Sequence, residues 1–172
     1  EFTVGGPIAA NRTWFFGAGR MVDQSLGRET AVTRSPYTYN ATEQRFEGKV
    51  THRIDDAQRF EVAYTGIQRK EVNSAYPSVS TVMDTRSLIS REIPQRLFAA
   101  HYSASISPSF VVEGQYSRRG QRFVKDGGTN TDLIQGTPVI DGMTGAWFWA
   151  PSFCGVCGDE SRGNDSFLLK GS

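Results

Sequence analysis

Cysteine and histidine are both scarce in this chain of 172 residues, with two of each. One cysteine pair, with no second pair and no histidine near it, does not supply the four ligands of a structural zinc site. His52 and His101 leave no credible nucleophile triad. A proteolytic site would need Asp84 or Asp132 as its acid, and nothing in the sequence puts either beside a histidine. A basic excess is also missing: 19 Lys and Arg stand against 18 Asp and Glu, a net charge of +1. That argues against a nucleic-acid partner, which calls for a basic patch or stripe. No apolar run approaches the roughly 18 residues of a membrane helix. The opening Glu1-Phe2-Thr3-Val4 carries neither a basic start nor an apolar core, so no export signal is visible there. The glycine clusters Gly17-Ala18-Gly19-Arg20 and Gly127-Gly128 lack the Lys-Ser/Thr and the following helix of a phosphate loop, and read as places where the chain bends or crowding is relieved. No catalytic residue, metal or cofactor is expected.

What is present is alternation, and it occurs twice. Over 44–69, Phe46, Gly48, Val50, His52 and Ile54 fall on one face, while Arg45, Glu47, Lys49, Thr51 and Arg53 fall on the other. After Asp55-Asp56-Ala57 the pattern resumes, with Phe60, Val62, Tyr64 and Gly66 against Arg59, Glu61, Ala63 and Thr65. Side chains of a strand alternate between faces, so this stretch is a hairpin with one apolar and one charged side. Residues 95–119 repeat it. Phe98, Ala100, Tyr102, Ala104 and Ile106 precede a Ser107-Pro108 turn, and Phe110, Val112, Gly114 and Tyr116 follow. The opposite side is read as Arg96, His101, Ser103, Ser105, Glu113, Gln115, Ser117 and Arg119. Equal spacing from Phe46 to Ile54 and from Phe98 to Ile106 marks a repeat.

The connections alternate as well. Turns after Ile54 and Ile106 are about three residues, whereas 23–43, 70–94 and 121–165 read as long connections. Gly5-Gly6-Pro7-Ile8 reads as a turn, and the first strand runs over roughly 13–21. Structureless loops of that length count against a compact soluble domain. They suit an antiparallel transmembrane β-barrel, which has short periplasmic turns, long outer loops and strands of about 9–11 residues. Phe60 and Phe110 near the short turns, with Phe46, Phe98 and Tyr116 toward the long loops, fit two interfacial aromatic girdles. Alternation does not tell inside from outside, so a soluble secreted β-sandwich or adhesin-like binding module with the apolar faces inward is the alternative.

The run Gly5-Gly6-Pro7-Ile8…Asn11-Arg12-Thr13-Trp14-Phe15-Phe16-Gly17 resembles the segment by which the chain enters the barrel in TonB-dependent outer-membrane receptors of the Oar-like kind. Those receptors carry a carboxypeptidase-regulatory-like domain and a plug ahead of the barrel. Phe46-Glu47-Gly48-Lys49-Val50-Thr51 with Gln58-Arg59-Phe60 resembles their first hairpin. Glu160-Ser161-Arg162-Gly163-Asn164-Asp165-Ser166-Phe167-Leu168-Leu169-Lys170 resembles a later strand. The first run is the specific one. The resemblance implies a lead-in segment at 1–12 after a missing plug domain, and the first strands and outer loops of the barrel over 13–172, about five to six strands of a larger whole. It further implies the cell outer membrane, energy-coupled import of a scarce nutrient, and no enzymatic activity. The partners it implies are outer-membrane lipid, the plug, the TonB energy-coupling complex and an unknown ligand.

In this frame Arg45, Glu47, Lys49, Glu61 and Glu113, with Arg53, Arg59, Arg96 and Arg119, would line the lumen and pair with the plug or with one another. Trp147, Phe148 and Trp149 in the longest loop are the candidates for contact with substrate, since binding residues concentrate on loops. Cys154 and Cys157 are expected to form a disulfide, because the cell exterior is oxidising and one pair in an exported chain usually bonds. Free thiols are the alternative if the chain stays in a reducing compartment. A redox site needs the motif at a helix start, which Pro151, Gly155 and Gly158 disfavour.

Overall fold

The computed structural model of the protein describes residues 1–75, 81–82, 85, 88–125, 139–145, 147–148 and 158–171. These form strands β1 (Phe2–Ala9), β2 (Thr13–Glu29), β3 (Pro36–Arg53), β4 (Gln58–Ser74), β5 (Thr81–Val82), β6 (Ile89–Glu92), β7 (Gln95–Ser107), β8 (Phe110–Phe123), β9 (Val139–Ile140), β10 (Trp147–Phe148) and β11 (Glu160–Gly171). One antiparallel sheet runs β1-β2-β3-β4-β7-β8-β11, with β6 also paired to β4. Each strand on this path therefore lies beside its neighbour along the chain, apart from the short strands held in the long connections. The sheet is open: β1 and β11 are its edges among the described residues. Among those residues no helix is long and apolar enough to cross a membrane, which says nothing about crossing by strands.

At one end of the sheet the strands join through residues 10–12, 54–57 and 108–109, and at the other through 30–35, 75–94 and 124–159. Short and longer connections do alternate. The turn at 54–57 is closed by Asp55, whose carboxylate accepts the Ala57 N–H and the Gln58 side-chain amide, each at 2.9 Å. A short acceptor side chain that bonds its own backbone two residues on is what nucleates such a turn.

Several boundaries differ from the sequence reading. Gly5-Gly6-Pro7 is part of β1, paired with Phe16, Phe15 and Trp14 of β2. Proline lacks an N–H, and an edge strand tolerates it because one side of its backbone has no ladder to complete. The stretch 23–43 is not a long loop. β2 and β3 stay in register from Thr13↔His52 to Glu29↔Pro36, and only 30–35 turns. Polar residues on both faces of this ribbon hide its strand period. Its tip is held by Thr30, whose hydroxyl accepts the Ser35 N–H at 2.9 Å and meets the Thr33 hydroxyl at 2.5 Å. Likewise β4 continues to Ser74, β8 to Phe123, and β11 begins at Glu160, so Asp165 lies inside a strand.

The register places Phe46, Gly66, Tyr64, Phe98, Val62, Ala100 and Tyr116 on one face, as the alternation requires. Phe15, Val50, Phe60, Tyr102, Gly114, Phe167 and Leu169 share it. Arg96 is a correction: it pairs with Gly66 and Gly120 and therefore stands on the apolar face, not the charged one. Its even number matches Phe98, and strand parity is strict. Nothing packs on either face in depth. Tyr39, Ala41 and Ala104 are the buried apolar side chains, while Phe46 is 49% exposed and Leu169 81%. The large sheet thus keeps its faces largely open among the described residues, and β5, β10 and β9 form a separate three-stranded sheet.

Candidate functional site

The charged face lies on β3, β4, β7 and β8, and its groups are held by cross-strand register. Lys49 Nζ reaches Glu61 Oε1 at 2.8 Å, and Arg59 reaches Glu61 Oε2 at 3.1 Å. The Thr51 hydroxyl donates to the same carboxylate at 3.3 Å. Arg45 pairs with Glu47 at 3.2 Å, within its own strand. Glu113 stands opposite Ser103 on one side and Lys170 on the other. Four of the five named charges therefore bond to neighbours within the sheet, which neutralises a face that would otherwise repel itself. Trp14, Phe16 and Ala18 on β2 share this face, opposite Thr51, Lys49 and Glu47.

The sheet does set an acid across from a histidine, as Glu61 pairs with His101 in the β4–β7 ladder. Glu61 is already taken up by Lys49, Arg59 and Thr51, and no hydrogen bond links it to His101 among the described residues. The other histidine, His52, meets the Thr13 hydroxyl through Nδ1 at 2.8 Å. Asp84 and Asp132 lie outside the described residues. Among the described residues no hydrogen bond or ion pair joins either histidine to an acid. Among the described residues no three His, Cys, Asp or Glu side chains gather as a metal site.

The tightest polar cluster was missed from sequence, because 23–43 and 70–94 read as loops. Glu71 on β4 is buried, with a side chain 5% exposed, and holds Arg69 at 2.8 Å and Arg91 of β6 at 2.6 Å. The Tyr39 hydroxyl donates to it at 2.8 Å and Ser74 at 3.2 Å. Arg28 of β2 stacks on the Tyr39 ring at 4.1 Å, and Arg69 also reaches Glu43 at 3.4 Å. Burial pushes the Glu71 carboxyl up, but the hydrogen bonds from Arg91, Tyr39 and Arg69 outweigh it and hold the group at about 2. Burial, then the bond to Glu71, pushes the Tyr39 phenol up. Every member has a partner, so the cluster is a clamp that fastens β6 to the β2–β3–β4 ribbon. Continued alternation through Tyr37, Tyr39, Ala41 and Glu43, against Arg69 and Glu71, was the signal available.

On the other face an aromatic row ends the apolar band. Phe46 lies 5.8 Å from Tyr64, Phe98 6.1 Å from Tyr116, and Tyr116 4.8 Å from Phe167, centroid to centroid. Polarity changes at once beyond it. Arg118 and Asp165 approach at 3.8 Å, and Asp165 accepts the Tyr116 hydroxyl at 2.7 Å. Of the loop candidates, Trp147 and Phe148 form β10, which pairs parallel with β5 and antiparallel with β9. Trp149, Cys154 and Cys157 lie outside the described residues. Compared with family models, curated proteins and solved structures, the chain has no match in any of the three.

Proposed function

We propose that the chain is one wall of an outer-membrane β-barrel of the TonB-dependent receptor kind, a transport protein and not an enzyme. Its apolar face meets lipid and its charged face a lumen filled by a plug of the same protein. The parent receptor imports a scarce nutrient, driven through the energy-coupling complex. The observation that carries this reading is an apolar face left open among the described residues and ending at a sharp line. On β4 the band runs from Gln58 to Gln68 with Phe60, Val62, Tyr64 and Gly66 between them. Ten steps of about 3.3 Å, tilted by about 40°, make a band about 25 Å tall, the height of the lipid-facing belt of outer-membrane barrels. On β7 the distance from Arg96 to Ile106 is again ten steps. Water would not tolerate so large a bare apolar surface, whereas lipid requires it.

In this reading 10–12, 54–57 and 108–109 are periplasmic and 30–35 is external. The test is cysteine placement in the full-length receptor in intact cells. An impermeant thiol reagent is expected to label a cysteine at Val32, exposed at the tip of the β2–β3 ribbon, and to miss one at Asp56. Labelling of both, of neither, or of Asp56 alone rejects the orientation. Recovery of the protein in the soluble fraction rejects the membrane.

A further inference from the structure

The apolar face carries a feature that lipid contact alone does not require. Across four strands one row reads Gly66, Arg96, Gly120 and Gly163. Three glycines flank a single arginine, whose stem lies along Gly120, about 3.4 Å from where a Cβ would stand. Arg96, Gly120 and Gly163 line a groove of about 490 Å³, while Gly66 lies under the Phe46 ring. Tyr64 and Phe98 form the groove's apolar side, and Arg118, Arg122 and Ser161 its polar one. Arg96 has no hydrogen-bond or ion-pair partner among the described residues. Arg118 touches Asp165 only at 3.8 Å, and that carboxylate already accepts the Tyr116 hydroxyl. Arg122 meets Asp159 at 3.7 Å, while Asp159 also accepts the Lys125 N–H at 3.1 Å. Three guanidinium groups thus retain most of their donors, on one concave patch at the edge of the apolar band.

We infer that this groove binds the phosphorylated headgroup of a lipid in the outer leaflet. The inference rests on the membrane reading above. Guanidinium forks match phosphate oxygens two at a time, and three of them favour a headgroup of net negative charge over a zwitterionic one, whose ammonium offsets its phosphate. The aromatic row beside them sits at the depth where acyl chains begin, so one ligand would lay its chains on Tyr64 and Phe98 and its phosphate on the arginines. Gly163 adds no side chain to the floor, and the Arg96 stem lies over Gly120. A free phosphate ion shares the arginine chemistry but has no use for the aromatic side.

The experiment is native mass spectrometry of the full-length receptor, extracted into a neutral detergent and offered lipid A, phosphatidylcholine or inorganic phosphate. Wild type and Arg12→Gln, altered at the opposite end of the strands, are expected to retain lipid A. The double variant Arg96→Gln/Arg118→Gln is expected to retain about a hundredfold less or lower still, since it loses two charge-assisted pairs of about 1.5–3 kcal/mol each. Resistance of the folded barrel to unfolding on gels separates loss of lipid from loss of fold, and Arg96→Lys, which keeps charge without the fork, should fall between. Equal retention by the double variant, or equal binding of phosphatidylcholine, overturns the inference. Competition by inorganic phosphate at the same site makes it an anion site and overturns the lipid assignment. A receptor that resides in the outer membrane yet binds no lipid A sinks the inference alone. One that never enters the membrane sinks the barrel reading with it.

Discussion

Arginine placed at Val62 probes the central claim about facing. Val62 pairs with Val50 and Ala100 in the middle of the apolar band. It lies four steps from Gln58 and six from Gln68, so at about 3.3 Å per step and a tilt near 40° it sits within a few ångströms of mid-band. Arginine at the bilayer midplane on a barrel's outer face costs about 2–4 kcal/mol. Taking about 3 kcal/mol, Val62→Arg lowers the folding equilibrium constant by roughly two orders of magnitude. The comparison site is Ala99 on the charged face, opposite Ala63 and Ser117. Ala63 itself is the poorer control, since it pairs with Lys49 and like charges directly opposite repel. Ala99→Arg is expected to cost about 0.5 kcal/mol or less. A third site fixes the depth: Gln68→Arg, beyond the band, should cost about 0–1 kcal/mol. The assay is guanidinium unfolding of the full-length receptor in phosphatidylcholine vesicles, followed by intrinsic fluorescence. Equal costs at Val62 and Ala99 refute the facing. Equal costs at Val62 and Gln68 refute lipid as the covering medium, because a protein layer imposes no such gradient with depth.

Three further expectations concern the outer half of the sheet. Glu71→Gln removes the buried carboxylate that Arg69 and Arg91 share and should loosen β4 and β6 where they pair by about 3–5 kcal/mol, read as faster amide exchange there with the rest of the sheet unchanged. The native Glu71 pKa of about 2 lies below its ordinary 4.5, so its stabilisation, about 3 kcal/mol, is complete above pH 4.5 and is lost as pH falls through about 2; protease nicking of the ribbon should follow that window in wild type and be flat over it in Glu71→Gln. Gly66→Ala would put a Cβ 2.5 Å from Phe46 Cζ, forcing the ring off its seat at about 1–3 kcal/mol; Gly66→Ala with Phe46→Leu should recover most of that in the same unfolding assay.

The middle of the sheet was legible because its faces differ so strongly. Phe46 to Ile54 and Phe98 to Ile106 announce strands, their facing and their turns, and Asp55 announces how one turn closes. The outer ribbon was not legible for the opposite reason. Asp23, Gln24 and Ser25 on β2 face Thr42, Ala41 and Asn40 on β3, so neither face is apolar and the period of two has nothing to act on. What holds those residues is the backbone ladder and a clamp assembled from Tyr39, Glu71 and Arg91, whose positions in the chain are far apart. Gly5-Gly6-Pro7-Ile8 reads as a turn because paired glycines and proline break strands in general; only its place at the sheet edge makes it a strand here. Arg96 stands two residues before Phe98, so strand parity puts it on the apolar face, beside Arg118 and Arg122.

The order of strands in the sheet also sets the order in which it can assemble. No pairing along its main path waits for a distant part of the chain, so the molecule grows like a zipper, by local closures ranked by loop length. The turn of the β2–β3 ribbon spans 30–35 and the connection from β8 to β11 spans 124–159. Six residues against thirty-six differ by about 1.6 kcal/mol of closure entropy, (3/2)RT ln 6. By the same ranking the β7–β8 hairpin, closed at 108–109, and the β3–β4 hairpin, closed at 54–57, form before the ribbon, and β11 is the last strand to dock. During that interval β8 is a bare edge with Tyr116 and Arg118 along it, the stretch of this chain most open to pairing with a second chain.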